Sequence, residues 1–501
     1  LALCYHKFME ENTDFTRDRG CPEFWSVYKR YVKKHLEMLN QYIKCPFVDP
    51  DLNSEILQKA HTMSWSRTLP NGQEMSLKPK KEKEEDGWVL KWGDDNRYGS
   101  DIIVTSFISY NWKEKKCDMF IKEIENTEEF YRNIGSFTIF PKHENSINQS
   151  RGRSPIYDRF DLTLECIRKY YNQQESLLSD VLKNDSNFFQ LFNNFKGYVD
   201  FFCFQDLVDD DYTRVRDLMR GGFVNEKSFA SPLPENVAEY EQWMNNQLKF
   251  VKERTKRIKP LLLIASDFTY NTKDENGVRT PCKIPDKNGI LTFIDRYTHG
   301  RKCLLVIAND PNDYEDNDNV AQVLGQAFAM TNRKFDEVKV LDNRTRDQTE
   351  TLIKNANLIF MRGGEIIRQL EFLQQINFKE LIQTNRGVVI SVSAASMCLT
   401  KTICNFPEHE KELNQKRLID GLGLVDVRLI PHFDGENSAY QGYTDFSNLV
   451  QDYILPYSDE YVIDALPNGS FIMYDGNELQ FFGPYYQIDK RKIKRGDNEK
   501  Y

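Results

Sequence analysis

Four short, almost wholly apolar runs constrain the second half of this chain more than any other feature. They are 261–265 (LLLIA), 303–308 (CLLVIA), 358–361 (LIFM) and 388–392 (VVISV). Each is shorter than an ordinary helix and shows no polar alternation, so each reads as a strand buried on both faces. Between them lie 319–331, 345–354 and 365–376, where apolar residues recur at helical spacing. Buried strands alternating with such helices predict an α/β domain built on a doubly wound, mainly parallel sheet. The expected division is 1–257 for a first domain and 258–501 for this one.

The first half has a different texture. Residues 24–43, 158–171, 188–195 and 235–257 carry helical spacing. Residues 102–110 and 135–140 are rich in β-branched and aromatic side chains and read as strands. The expectation is a mixed α+β domain. The charge run 78–86 (KPKKEKEED) reads as a solvated loop, and the polar tail 490–501 as frayed.

Charge and cysteine usage narrow the setting. Lys and Arg number 67 against 76 Asp and Glu, a formal net charge of −9. That balance argues against nucleic acid and against an anionic membrane surface as partners. No apolar stretch reaches the ~18 residues of a membrane-spanning helix. Residues 1–10 lack a basic segment followed by an apolar run, so no secretory signal is expected. The 10 cysteines are scattered without a CxxC, and the 7 histidines form no HExxH. A reducing, cytoplasmic protein with no metal and no cofactor is the expectation. Abundant Asn, Lys and Tyr fit a bacterial, AT-rich genome. Whether the chain forms a homo-oligomer is left open.

Chemistry concentrates where the third and fourth apolar runs end. At 387–399 (GVVISVSAASMCL) an apolar strand leads into a serine flanked by small residues, then a helical pattern. This is the layout of a nucleophile elbow, in which Ser393 would stand above the strand ends. The competing reading makes Ser391 or Ser393 a simple helix cap. At 361–365 (MRGGE) a glycine pair follows another strand, and either exposes backbone N–H groups to a ligand or makes an ordinary turn. At 421–433 (GLGLVDVRLIPHF) His432 follows an apolar strand, a better place for a base than most, because ligands of α/β sheets bind beyond strand C-terminal ends.

These pieces, with Ala465-Leu466-Pro467-Asn468-Gly469-Ser470 and Asp475-Gly476 downstream, resemble the peptidase E (aspartyl dipeptidase) and cyanophycinase family over roughly residues 259–495. That family has the class I glutamine amidotransferase-like fold. The resemblance implies a serine peptidase acting on a small peptide or related amide. It implies Ser393 as nucleophile, His432 as base and Glu408 as the acid that orients the histidine, with Glu410 as the fallback. It places the oxyanion hole at the N–H groups of Gly364 and Ala394, and the pocket at Arg362, Gly363 and Glu365. A serine at the elbow argues against glutamine amidotransferase chemistry, and Cys398 reads as core.

The elbow departs from the family's G-x-S-A-G pattern. Ser391 and Ala395 stand where glycines are usual, and the extra methyl is expected to shift the elbow. Glu365 after the glycine pair is expected to disfavour acidic substrates unless Arg362 or Arg368 compensates. A non-catalytic, ligand-sensing pocket therefore stays open as the second reading.

In the first half, 134–141, 150–168 and 197–202 resemble a bacterial family of uncharacterised domains, from which no activity follows. A third reading puts the main function there, for example in bacterial stress or phage defence. Arg151, Arg153, Asp158, Arg159 and Asp161 form either an internal salt-bridge cluster or an anion pocket. Trp65, Trp88, Trp92 and Trp112 belong either to a groove or to a core.

Overall fold

The computed structural model describes residues 55–81, 87–93, 96–104, 134–235, 237–407, 409–435, 448–476 and 478–497. The chain divides into two units, Leu1–Ile258 and Lys259–Tyr501. Expectations for 24–43, 105–110 and Trp112 lie outside the described residues. No helix among the described residues is long and apolar enough to cross a membrane.

The first unit contains helices α1 (Glu55–Trp65), α2 (Phe160–Tyr171) and α3 (Val237–Ile258), and an antiparallel sheet in the order β1 (Lys78–Lys81), β2 (Trp88–Trp92), β3 (Asn96–Ile102), β4 (Phe137–Pro141). β1 corrects the loop reading of the charge run at 78–81, and 82–86 lie outside the described residues. Lys78 pairs with Lys91 and Lys81 with Trp88, so the start of the run supplies an edge strand. Lysines and a proline are compatible with an edge, where one side faces water and discourages further pairing. The expected helix at 188–195 is two pieces, Ser186–Gln190 and Phe195–Phe201. Asn193 adopts a left-handed φ of 63°, and Asn194 caps the second piece by accepting from Gly197 N–H.

The core of this unit is aromatic. Phe188, Phe189, Phe192, Tyr198, Phe201, Phe202 and Phe204 pack against one another, and Phe201 and Phe202 meet Trp65, which is fully buried. Burying one such side chain is worth about 1.5–3 kcal/mol. Trp92 packs against this core while partly exposed. The charged cluster is internal. Arg159 is fully buried, with Nη2 2.6 Å from Asp161 and 2.9 Å from Asp217, and Nε 3.1 Å from Asp161. Arg151, also buried, pairs with Asp101 and donates to Thr163 Oγ1 at 3.1 Å. Arg153 is exposed.

In the second unit the strands are β5 (Leu261–Ala265), β6 (Asn271–Lys273), β7 (Arg279–Pro281), β8 (Cys303–Ile307), β9 (Glu337–Leu341), β10 (Leu358–Met361), β11 (Val388–Val392), β12 (Thr402–Cys404), β13 (Leu418–Asp420), β14 (Leu429–Ile430), β15 (Ile463–Ala465), β16 (Phe471–Tyr474), β17 (Leu479–Phe482), β18 (Pro484–Asp489) and β19 (Lys492–Asp497). The main sheet runs β17-β16-β5-β11-β10-β8-β9. β5, β11, β10, β8 and β9 are mutually parallel, whereas β16 and β17 are antiparallel. It is thus a mixed α/β unit with a mainly parallel sheet.

Strand residues alternate between two cores, which is why the runs had to be apolar throughout. Leu262 and Ile264 join one with α6 (Ile366–Gln375) and α7 (Ala394–Leu399). Leu261, Leu263 and Ala265 join the other with α4 (Ile290–Tyr297) and α5 (Tyr314–Met330). The edge strand β9 (EVKVL) alternates in burial and lacks the wholly apolar signal. The tail is not frayed at 492–497. β19 pairs antiparallel with β18, and Ile493 faces the buried Ile488. The chain leaves β8 for β9 on one side and returns through β10 on the other. Such a reversal opens a crevice at the strand C-terminal ends.

Candidate active site

β11 ends just before Ser393, whose backbone has φ 52° and ψ −119°. For a residue with a side chain this conformation costs of order 1–3 kcal/mol and persists only where the surroundings impose it. Here Ser393 N–H donates to Ala265 O at 3.1 Å, and Ser393 O accepts from Met397 N–H at 3.1 Å. The turn is thus pinned to β5 on one side and to α7 on the other. The cap reading of Ser393 does not describe it, because its side chain makes no capping hydrogen bond.

The departures from the glycine pattern are absorbed locally. Ser391 is buried and its hydroxyl meets Ser396 Oγ at 3.0 Å, while Ser396 donates to Ala265 O at 2.9 Å. The pair joins the strand end to the helix start. Ala395 is fully buried in the core beneath. Cys398 is also buried, and burial, then the charge of Glu365, pushes its thiol up to about 12. It is no nucleophile at neutral pH.

The glycine pair follows β10 and abuts the serine. A Cβ on Gly363 would lie 2.8 Å from Ser393 Cβ, and one on Gly364 2.2 Å from Asn309 Oδ1. Close approach, not φ, requires both glycines. Asn309, at the end of β8, accepts from Glu365 N–H at 3.1 Å and donates to Glu365 O and to Gln369 Oε1, each at 3.2 Å. Gln369 in turn donates to Arg362 O at 2.9 Å. The loop that carries the pair is therefore fixed to the sheet.

Glu365 also has a structural job. Its carboxylate caps α6, accepting from Ile367 N–H at 3.1 Å and Arg368 N–H at 2.8 Å. Arg362 pairs with Asp316, which also takes Arg279, and Arg368 pairs with Asp310. Burial alone would raise the Asp316 carboxyl, but hydrogen bonds from Arg362 and Arg279 outweigh it and hold the group below its ordinary value.

His432 arrives from another sheet. β14 and β15 pair in parallel, Leu429 with Asp464 and Ile430 with Ala465. That register sets His432 and Asn468 side by side just beyond the strand ends. His432, like Ser393, is left-handed, with φ 58°. Its Nε2 lies 2.9 Å from Ser393 Oγ and its Nδ1 2.6 Å from Asn468 Oδ1. Its backbone N–H donates to Ser266 Oγ at 2.7 Å. The structure therefore brings together Ser393, His432 and Gly363. Glu408 lies outside the described residues, and Glu410 is exposed in the turn Glu410–Glu412.

Sequence reasoning missed Asn468, Ser266 and Asn309. The signal for Asn468 was present as an Asn-Gly pair three residues after β15, where Gly469 turns at φ 90°. Among the described residues no group of three or more His, Cys, Asp and Glu could hold a metal.

Residues 302–482 match the model of peptidase family S51, and residues 41–258 match that of a family of unknown function, DUF6994. Among solved structures the chain is similar to a peptidase from an acI-B1 Actinobacterium, at 15% identity and a TM-score of 0.35, covering 48% of this chain and 94% of that one. It is also similar to a putative peptidase E protein from Listeria monocytogenes EGD-e, at 18% identity and a TM-score of 0.31, covering 44% and 97% respectively. No curated protein matches. The C-terminal region thus resembles a peptidase family, and the N-terminal region a domain family whose function is unknown.

Proposed function

We propose that the C-terminal unit is a serine peptidase, on a class I glutamine amidotransferase-like doubly wound sheet, that cleaves a small peptide or related amide. The observation that carries this reading is the 2.9 Å contact between Ser393 Oγ and His432 Nε2, with both residues held at positive φ. Two polar residues at positive φ whose side chains meet beyond strand ends fit a preorganised nucleophile and base.

In this mechanism His432 Nε2 takes the Ser393 hydroxyl proton as Oγ attacks the scissile carbonyl carbon. The tetrahedral oxyanion is met by the N–H groups of Gly364 and Ala394. Ala394 is the first residue of α7, so its N–H has no partner within the helix. The C–N bond breaks as His432 returns the proton to the leaving amine. Water then attacks the acyl carbon as His432 takes its proton, and the acyl–Oγ bond breaks as His432 hands that proton to Ser393 Oγ, releasing the acid. The carbonyl carbon needs room beside Gly363, where the absent side chain leaves Oγ open.

The N-terminal unit is read as a recognition or regulatory domain for this chemistry. A reducing, cytoplasmic setting suits the free thiols Cys166, Cys203, Cys282, Cys303, Cys398 and Cys404.

The test is amine release from a library of dipeptides and short peptides, with Asp-X and isoaspartyl members, by wild type and Ser393→Ala in parallel. Turnover that falls by about 10⁴–10⁶ in the variant is the expected result. Equal background signals, with no covalent labelling of Ser393 by a fluorophosphonate, would overturn the reading.

A further inference from the structure

The base at His432 works only if its proton sits on Nδ1, leaving the Nε2 lone pair for Ser393. In a serine triad a carboxylate enforces that tautomer, because it can only accept. Here the group at Nδ1 is the amide of Asn468, which offers an acceptor on one side and a donor on the other. Turned over, its Nδ2 would donate to Nδ1, the ring proton would move to Nε2, and the base would be lost. A wrong tautomer at a serine triad costs about 10⁴ in kcat. Something must therefore hold the amide one way round.

We propose that Ser266 is that element, a positioning residue that sets the His432 tautomer through Asn468. This deepens the serine peptidase reading and rests on it. Ser266 is fully buried at the end of β5. Its Oγ accepts the backbone N–H of His432 at 2.7 Å, which directs the hydroxyl proton elsewhere. Asn468 Oδ1, 3.3 Å away, receives it. Oδ1 also accepts from His432 Nδ1–H at 2.6 Å. The four groups close a ring: His432 N–H to Ser266 Oγ, Ser266 O–H to Asn468 Oδ1, and His432 Nδ1–H to the same oxygen. Turning the amide over would strand a buried hydroxyl proton, and that cost holds the productive orientation. The ring itself is anchored. Ser266 N–H donates to Ser470 O at 3.1 Å, Asp267 accepts from Gly469 N–H, and Asn288 Nδ2 donates to Gly469 O at 2.8 Å.

The experiment is a double-mutant cycle on the full chain. Ser266→Ala frees the amide to turn and is expected to lower kcat by about 10²–10⁴ with KM within about twofold. Asn468→Asp replaces the two-faced amide with a pure acceptor. The double variant Ser266→Ala/Asn468→Asp is then expected to recover to within about tenfold of Asn468→Asp alone. Ser266→Thr, which keeps the hydroxyl, is the control for a folding defect and should stay near wild type. Equal losses in Ser266→Ala with and without Asn468→Asp would overturn the proposal, as would an unchanged kcat in Ser266→Ala.

Nitrogen-15 NMR of the His432 ring gives a readout independent of turnover. The Nδ1–H tautomer is expected in the wild type and a shift towards Nε2–H in Ser266→Ala. The same tautomer in both overturns the lock. If the wild type shows the Nδ1–H form but never labels with a fluorophosphonate, the peptidase reading fails while the lock stands.

Discussion

Each unit holds a histidine whose tautomer its neighbours set, and the two are set in opposite ways. In the first unit His61 is fully buried on α1. Trp65 Nε1 donates to its Nδ1 at 3.0 Å, and an indole N–H can only donate. The ring proton is therefore on Nε2, facing Ser100 Oγ at 2.9 Å. Burial, then the charge of Arg254, pushes the pKa down to about 3. This imidazole is fixed, neutral and closed. His432 is half-buried, left-handed and held by an amide that has two faces. A structural histidine is satisfied by donors and acceptors that allow one answer. His432, the base of the proposed mechanism, meets at its second nitrogen the Ser393 hydroxyl, at 2.9 Å.

The largest expected effect separates the two sites. His432→Ala should lower kcat by about 10⁴ or more while leaving the urea midpoint of the first unit unchanged. His61→Leu should do the reverse. It removes the ring nitrogens that Trp65 Nε1 and Ser100 Oγ bond in the core, at roughly 1–3 kcal/mol for each lost bond. Urea melts followed by hydrogen exchange in 137–204 would show the loss, with kcat intact. A drop in kcat from His61→Leu would break the comparison, because it would mean that the first unit's polar core feeds the second unit's chemistry.

A smaller effect is written in pH. His61 titrates near 6.5 when unfolded and near 3 when folded, so its stability contribution is complete above 6.5 and lost as pH falls towards about 3. Asp158 runs the other way. Burial, then the charge of Asp101, raises its carboxyl from 3.8 to about 7, so its contribution is complete below 3.8 and lost as pH rises through about 7. Each supplies a slope of at most about 1.4 kcal/mol per pH unit, and between about pH 4 and 6.5 the two oppose. The wild-type profile should be shallow there. Asp158→Asn should expose a stability that climbs with pH, and His61→Leu one that falls. Urea melts across that range read both signs. Parallel profiles for the two variants would sink the assignment.

Much of the site was legible because its chemistry coincides with strand ends. The wholly apolar runs gave β5, β8, β10 and β11, and small residues around Ser393 marked the elbow. His432 followed from its place after 427–431 (VRLIP). Other parts carried no local signal. β9 and the tail strand β19 are edge elements whose charged residues alternate or crowd, so their pairing is decided by neighbours far along the chain. Asn468 and Ser266 meet His432 only because β14, with its two residues, lies parallel to β15 and because β5 ends beside them. No window of sequence contains that juxtaposition. Glu365 shows a role that its residue type alone did not suggest, that of a helix cap.

The smallest expected effect concerns Ala395, where the elbow departs from the usual glycine. An extra methyl at a close strand-to-helix contact would be a burden if the turn had to accommodate it by shifting. The surroundings indicate otherwise. The methyl is fully buried in an apolar core, and the strand end is joined to the helix by the Ser391–Ser396 pair at 3.0 Å, where a glycine at 391 would supply no hydroxyl. Ala395→Gly removes a buried methyl and adds backbone freedom in α7, at about 1 kcal/mol for the propensity alone. Stability should fall by that order while kcat stays within about twofold. A kcat that rises tenfold with no loss of stability would show the opposite, that the methyl strains the serine's perch and that the elbow, unlike the His61 site, is still short of its best geometry.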